Sequence, residues 1–222
     1  MEIYAGPEIG VASTKAFTCQ LAVLFLMTLK AAQDRSEISE INIAKTVSDL
    51  KSLPSTLSQY LGSTHSLQDI AHKLSAASDV LFLGRGLMYP VALEGALKLK
   101  EISYIHSEGY AAGELKHGPI ALIDDSVPVI ILAPCDELFE KNISNMQEVI
   151  ARKANVILIS DKKGLQSAGS MVKNTIEMPC TNKLLTPLVY ALPIQLLAYF
   201  SAVSKGTDVD QPRNLAKSVT VE

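Results

Sequence analysis

The sequence has no tryptophan and only three cysteines, Cys19, Cys135 and Cys180, in 222 residues. They are odd in number and far apart, with no CxxC pair and no histidine at ligand spacing. That excludes a disulfide framework and a structural metal site, and it fits a reduced, cytoplasmic setting. Charge of one sign is also scarce. The formal net charge is −3 and there is no run of five or six like charges, so nothing supplies the electrostatic footprint of a nucleic-acid binder. The longest apolar stretch, Leu21 to Leu29, stops at Lys30. It falls well short of the roughly 18–20 residues of a membrane span and reads as a buried helix. The opening Met1-Glu2-Ile3-Tyr4-Ala5-Gly6-Pro7 lacks the basic-then-apolar order of a signal peptide.

What is present suits a packed core. Hydrophobic residues make up 48% and charged residues 19%, which argues against disorder. The length suggests one to two domains. Ser13-Thr14 is a candidate cap for a helix running to about Gln33. A second helical segment covers Glu37 to Leu61, and Pro54 is expected to split it.

After the loop Gly62-Ser63-Thr64-His65 the pattern alternates. It predicts a helix over Ser66–Ala77, a buried strand over Val80–Leu83 and a long helix over Tyr89–Glu108. A strand over Val127–Leu132, a helix over Glu137–Lys153 and strands over Val156–Ile159 and Thr175–Met178 follow, then a helix over Pro187–Val203. Short apolar strands between helices imply an α/β fold with a doubly wound parallel sheet and right-handed crossovers. Ligands are then expected outside the carboxyl ends of the strands, at the Gly84-Arg85-Gly86 turn and the segment after the long helix. Residues 1–61 have no strand and read as the helical remnant of a preceding domain, packed on this domain or elsewhere. Residues 62–206 form the α/β domain, and 207–222 a polar tail.

Four places could carry chemistry. On the long helix, Glu94, Lys98 and Glu101 fall on one stripe, so Lys98 can touch both carboxylates. They are either a structural ion pair on a solvated edge or a charged line facing a cleft. In a cleft, burial would raise a carboxyl pKa and make Glu101 a general acid/base. His117 is bracketed by Gly113, Gly118 and Pro119 and so belongs to a loop or short helix. It is a surface histidine or a catalytic one. His106 reads as a core residue of the long helix, and His65 and His72 as surface positions. In the tail, Arg213 precedes Lys217 by four residues. If the tail coils, the guanidinium would favour the neutral amine that Schiff-base chemistry needs; otherwise Lys217 is an exposed tail lysine. Gly84-Arg85-Gly86 lacks the glycine spacing of a dinucleotide or P-loop site.

Several stretches together resemble one family. They are Glu8-Ile9-Gly10-Val11-Ala12-Ser13-Thr14-Lys15-Ala16-Phe17, Ala92-Leu93-Glu94-Gly95-Ala96-Leu97-Lys98-Leu99-Lys100-Glu101-Ile102-Ser103-Tyr104, Gly113-Glu114-Leu115-Lys116-His117-Gly118-Pro119, and Asp210-Gln211-Pro212-Arg213-Asn214-Leu215-Ala216-Lys217-Ser218-Val219-Thr220-Val221-Glu222. The chain is similar along its length to the glutamine–fructose-6-phosphate aminotransferases (isomerizing), in the part built from sugar-isomerase (SIS) domains. The resemblance implies a flavodoxin-like second SIS domain, preceded by the end of a first. It implies that Lys217 forms a Schiff base with the open-chain ketose, that Glu101 moves a proton between C1 and C2 with Lys98 assisting, and that His117 opens the sugar ring in a neighbouring subunit's site. Val11 and Ala216 would contact the sugar through the backbone, with Ser13 and Arg213 also in the binding set. No metal or organic cofactor is implied, while a sugar phosphate and a homodimer are.

Two departures qualify this. Position 2 is Glu2, where the family's glutaminase domain carries its cysteine nucleophile, and no Ser/Thr-rich phosphate loop is found. The chain alone is therefore expected to be inactive or nearly so. The competing readings are a non-catalytic SIS sensor of sugar phosphates and a stand-alone aldose–ketose isomerase.

Overall fold

The computed structural model describes residues 1–217; the end of the expected tail, residues 218–222, lies outside the described residues. The apolar runs become the middle of a parallel sheet. β1 (Asp79–Gly84), β2 (His106–Ala111), β3 (Pro128–Leu132), β4 (Asn155–Asp161) and β5 (Asn174–Met178) are ordered β2-β1-β3-β4-β5. Every pair is parallel. This is the flavodoxin-like order, with the chain reversing direction across the sheet between β1 and β3.

The helices are α1 (Lys15–Asp34), α2 (Glu40–Leu61), α3 (His65–Leu74), α4 (Met88–Ser103), α5 (Phe139–Ile150), α6 (Lys162–Ala168) and α7 (Thr186–Lys205). Strand side chains alternate between two cores. Phe82, Ile130, Ile157 and Ile176 pack under α3, α4 and α7, and Leu83, Ile131 and Leu158 pack under α5 and α6. Glycine sets the closest approaches. A Cβ on Gly95 would lie 2.7 Å from the Phe82 ring, and one on Gly109 would lie 2.8 Å from the Leu93 backbone. So α4 sits nearly on the sheet.

The first 61 residues lie on this domain. Leu53 is buried in the α4/α7 core, and Leu21, Phe25, Leu50 and Leu57 pack on its outside. Asn182 Nδ2 donates to Asp49 Oδ2 at 3.0 Å. Helix α2 runs unbroken through Pro54. A proline removes one N–H and clashes with the preceding turn, yet burial of Leu53 and Thr46 outweighs that cost here. By length and composition, α1 and α7 would each suffice to cross a membrane. α7 is a core helix, and α1 buries only Leu29.

The expected helix Tyr89–Glu108 is really two elements. α4 ends at Ser103, whose hydroxyl donates to the Leu99 carbonyl at 2.5 Å, and Tyr104 follows in the left-handed region at φ 59°. His106–Ala111 is then an edge strand paired only with β1. With one neighbour and a polar sequence, HSEGYA, it shows no apolar run to read. His106 is accordingly an exposed strand residue bonded to Asp79 at 2.7 Å, not a core histidine. His65 and His72 are exposed, as expected.

Candidate functional site: the meeting of the two chain ends

The segment before α1 carries no regular structure, and it reads as a strap held from two sides. Thr14, expected to cap α1 with its own hydroxyl, makes no such bond. Its N–H instead donates to Glu8 Oε1 at 2.7 Å, placing an ionised carboxylate at the positive end of the helix. Partial burial pushes the Glu8 carboxyl up, but N–H donors from Thr14 and Ala16 and the Lys217 ammonium outweigh it and hold it below its ordinary value. From the other side the tail closes in. Val11 N–H donates to the Asp210 carbonyl at 2.9 Å. Lys217 Nζ donates to the Gly10 carbonyl at 2.8 Å and lies 3.7 Å from Glu8 Oε2.

The tail itself is pinned to the end of α4. Thr207 donates to the Ile102 carbonyl at 2.6 Å, Arg213 N–H to the Tyr104 hydroxyl at 2.8 Å, and the Arg213 guanidinium stacks 4.2 Å above the Tyr104 ring. Arg213 is thus held on an aromatic face, and a carboxylate, Glu8, lies beside Lys217.

Between strap, tail, α4 and α7 lies a cavity of about 300 Å³, lined in part by Glu8, Gly10, Lys98, Ile102, Tyr199 and Asp210. Lys98 enters it from α4. It is buried between two carboxylates, with Glu101 Oε2 2.5 Å away and Glu94 Oε1 3.5 Å away. The stripe is thus a largely buried charged row with Lys98 in the cavity wall, not a solvated ion pair. The carboxyl whose pKa rises is Glu94: burial pushes it up, Lys98 pulls it back only in part, and Glu101 adds to the rise.

Of the residues read from the sequence, Lys98 lines this cavity; Glu101 adjoins it through Lys98, Lys217 bonds the lining residue Gly10, and Val11 and Ser13 belong to the strap. Ser13 Oγ donates to Glu8 Oε2 at 3.4 Å, and Ala216 is exposed in the adjoining tail. His117 is not part of the group. Its turn, Ala112–His117, packs Ala112 and Leu115 into the α5/α6 core on the opposite face of the sheet. There the ring is largely exposed, 2.7 Å from Glu114.

The expected position at the carboxyl strand ends is also corrected. α4 runs antiparallel to the strands, so Lys98 and Glu101, in its second half, lie toward their amino ends. The Gly84-Arg85-Gly86 turn serves packing, as Arg85 donates to Asn145 Oδ1 at 2.9 and 3.0 Å. Sequence reading gave no role to Glu8 or Tyr104. A signal for Glu8 existed: an acidic residue just before a helix whose first turn has no acid of its own.

An amine, a second amine between two carboxylates, and several backbone carbonyls around one cavity can hold a hydroxylated carbonyl compound, bond to it and relay protons. Among the described residues no group of three or more His, Cys, Asp or Glu could hold a metal. The family profile described as "SIS domain" matches residues 73–205. The chain belongs to the SIS-domain family. This SIS domain is 59% identical over 219 residues to the glutamine--fructose-6-phosphate aminotransferase [isomerizing] of Zymomonas mobilis, covering 99% of this chain and 36% of that protein. The Brucella abortus protein of the same name is also 59% identical, over 98% of this chain and 36% of its own length. The chain thus spans about a third of these relatives. Among solved structures, the C-terminal domain of glucosamine-fructose-6-phosphate aminotransferase from Francisella tularensis superposes with a TM-score of 0.90 at 45% identity, over 94% of this chain and 59% of that one. A glucosamine-6-phosphate deaminase from Thermotoga maritima, at 24% identity and a TM-score of 0.64 over 96% of this chain and 59% of that one, shares the fold.

Proposed function

We propose that this SIS domain is the sugar-isomerising part of an enzyme that converts fructose 6-phosphate and glutamine to glucosamine 6-phosphate and glutamate. The observation that carries it is the convergence of Lys217, from one end of the chain, with the strap from the other, beside a cavity holding Lys98. Lys217 is the amine that captures the open-chain ketose as a Schiff base. Glu101 moves the proton between C1 and C2, and Lys98, 2.5 Å away, steadies its charge. Val11, Ser13, Ala216 and Arg213 belong to the walls that hold the sugar.

His117 opens the sugar ring in the site of a second copy. Its position on the opposite sheet face supports an assignment in trans, and with it a cytoplasmic homodimer. The division into a helical remnant over 1–61, a SIS domain over 62–206 and an active-site tail over 207–222 belongs to the same reading, as does the absence of nucleic-acid and membrane partners. The exposed apolar side chains of α1, Leu24 and Met27, offer a face to a neighbouring domain. Ammonia and most of the phosphate contacts come from outside this chain.

The test is reductive trapping. Borohydride added to the 222-residue protein with excess fructose 6-phosphate is expected to fix one sugar phosphate on Lys217, seen by peptide mass spectrometry and lost in Lys217→Arg. The same protein with glutamine is expected to form no glucosamine 6-phosphate. Absence of any adduct on Lys217 overturns the assignment.

A further inference from the structure

The strap carboxylate has no part in the chemistry above, and its geometry asks for one. Glu8 is nearly buried, its side chain 10% exposed. Its two oxygens are divided. Oε1 accepts the Thr14 N–H at the start of α1, whereas Oε2 faces Lys217 Nζ at 3.7 Å and accepts the long Ser13 bond of 3.4 Å. A carboxylate fixed at one oxygen by a helix N-terminus keeps the other in a constant place, and the helix end favours its charged form.

We propose that Glu8 is the fixed counter-ion of Lys217, positioning the amine at the cavity rim and then stabilising the protonated imine that this amine forms. The proposal rests on the reading of Lys217 as the Schiff-base lysine.

The step balances. Nζ gives up one proton to become nucleophilic and bonds to the ketose C2. The C2–O bond breaks and the oxygen leaves as water, with that proton and one of the two remaining on nitrogen. The nitrogen keeps its last proton, so that ammonium plus carbonyl yields protonated imine plus water. The positive charge sits on the same nitrogen before and after, so a carboxylate placed for the ammonium also serves the iminium. Only the protonated imine draws electrons strongly from C1 and C2, and a nearby negative charge favours that form.

The other charges around the site are already matched or turned elsewhere. Lys15 Nζ donates to the Pro7 carbonyl at 2.5 Å, and Lys98 lies between Glu94 and Glu101. Arg213 stacks on Tyr104, and Asp210 offers its backbone carbonyl to Val11.

Two measurements separate this proposal from the Schiff-base reading. The first needs no sugar: acetylation of Lys217 by limiting acetic anhydride, quantified by mass spectrometry at mildly alkaline pH. Lys217 is half exposed, so the pair is screened; Glu8→Gln is expected to raise labelling about two- to fivefold, the range of exposed ion pairs. Glutamine keeps an oxygen for the Thr14 N–H, and Glu8→Asp is expected to label nearly as wild type. Should Glu8→Gln fail to fold, high salt added to the wild type is expected to raise labelling in the same sense.

The second is the pH profile of borohydride trapping. Glu8→Gln is expected to shift its alkaline limb to lower pH, with about a two- to fivefold loss of adduct on that limb. Equal labelling with and without the carboxylate overturns the pairing. Altered labelling with an unchanged trapping profile overturns the counter-ion role. A wild type that labels as expected but never traps sugar overturns the Schiff-base reading alone, leaving the pair intact.

Discussion

Lys98→Met removes one charge from a buried row of three, and its cost can be worked from the distances. At 3.5 Å from Glu94, with an effective dielectric near 20, the attraction alone is about 5 kcal/mol. Glu101 is closer still, at 2.5 Å. Much of this only offsets desolvation of the ions, but stripping one partner leaves the others buried and unmatched, which costs about 3–5 kcal/mol. The loss depends on pH in a sense fixed by Glu94. Its carboxyl titrates higher in the folded protein than the ordinary 4.5, so the folded state keeps a proton that the unfolded chain releases. That contribution is complete below the ordinary value and is lost as pH rises through the raised folded one. Without Lys98 the folded value rises further, and the acid side becomes a refuge for the variant. Urea unfolding followed by circular dichroism is therefore expected to show a deficit of about 3–5 kcal/mol near neutral pH. It should shrink in mild acid, in the sense that the raised Glu94 value fixes. A deficit below about 1 kcal/mol, the level of exposed pairs, or one that is equal at both pH values would refute the picture of a buried charged line.

Two further substitutions probe the frame that holds this line. Tyr190 is 1% exposed and, among the described residues, its hydroxyl has no well-formed hydrogen bond, with the Asp161 backbone its nearest polar neighbour, so Tyr190→Phe is expected to change stability by no more than about 1 kcal/mol; a larger loss in urea unfolding would reveal an unseen partner. Gly109→Ala puts a Cβ 2.8 Å from the Leu93 backbone, and forcing the edge strand off α4 is expected to cost about 1–3 kcal/mol, measured as a lower urea midpoint.

The sequence carried most of the fold because burial on both faces leaves a plain mark. Val80–Leu83, Val127–Leu132 and Val156–Ile159 read as strands from their apolar runs alone. The edge strand His106–Ala111 left no such mark, having one partner and a polar composition, and it was absorbed into the preceding helix. Pro54 misled in the opposite direction, since a local penalty was outweighed by tertiary packing. For the site, the spacing of Glu94, Lys98 and Glu101 was legible because helical periodicity is local. That Lys217 would meet Glu8, 209 positions away, was not, because no pattern within either segment encodes the other. That the Arg213 guanidinium would lie on Tyr104 was hidden for the same reason, since the two stand on different elements.

The arrangement has a consequence for how such a site is made. The strap before α1 and the tail after α7 each lack regular structure, and they are held by one another and by the end of α4. Val11 bonds the tail, Lys217 bonds the strap, and Thr207 and Arg213 bond α4 and Tyr104. Ordering loose segments costs conformational entropy, so the contacts that close the cavity also decide whether it exists. Lys98 and Glu101 need no such closure, because they stand on a rigid helix packed against the sheet. The rigid part of the site is thus the charged line, and the adjustable part is the amine. In the proposed reaction this division has a use: proton transfer between adjacent carbons tolerates little displacement, while the lysine must follow its substrate from carbonyl to imine.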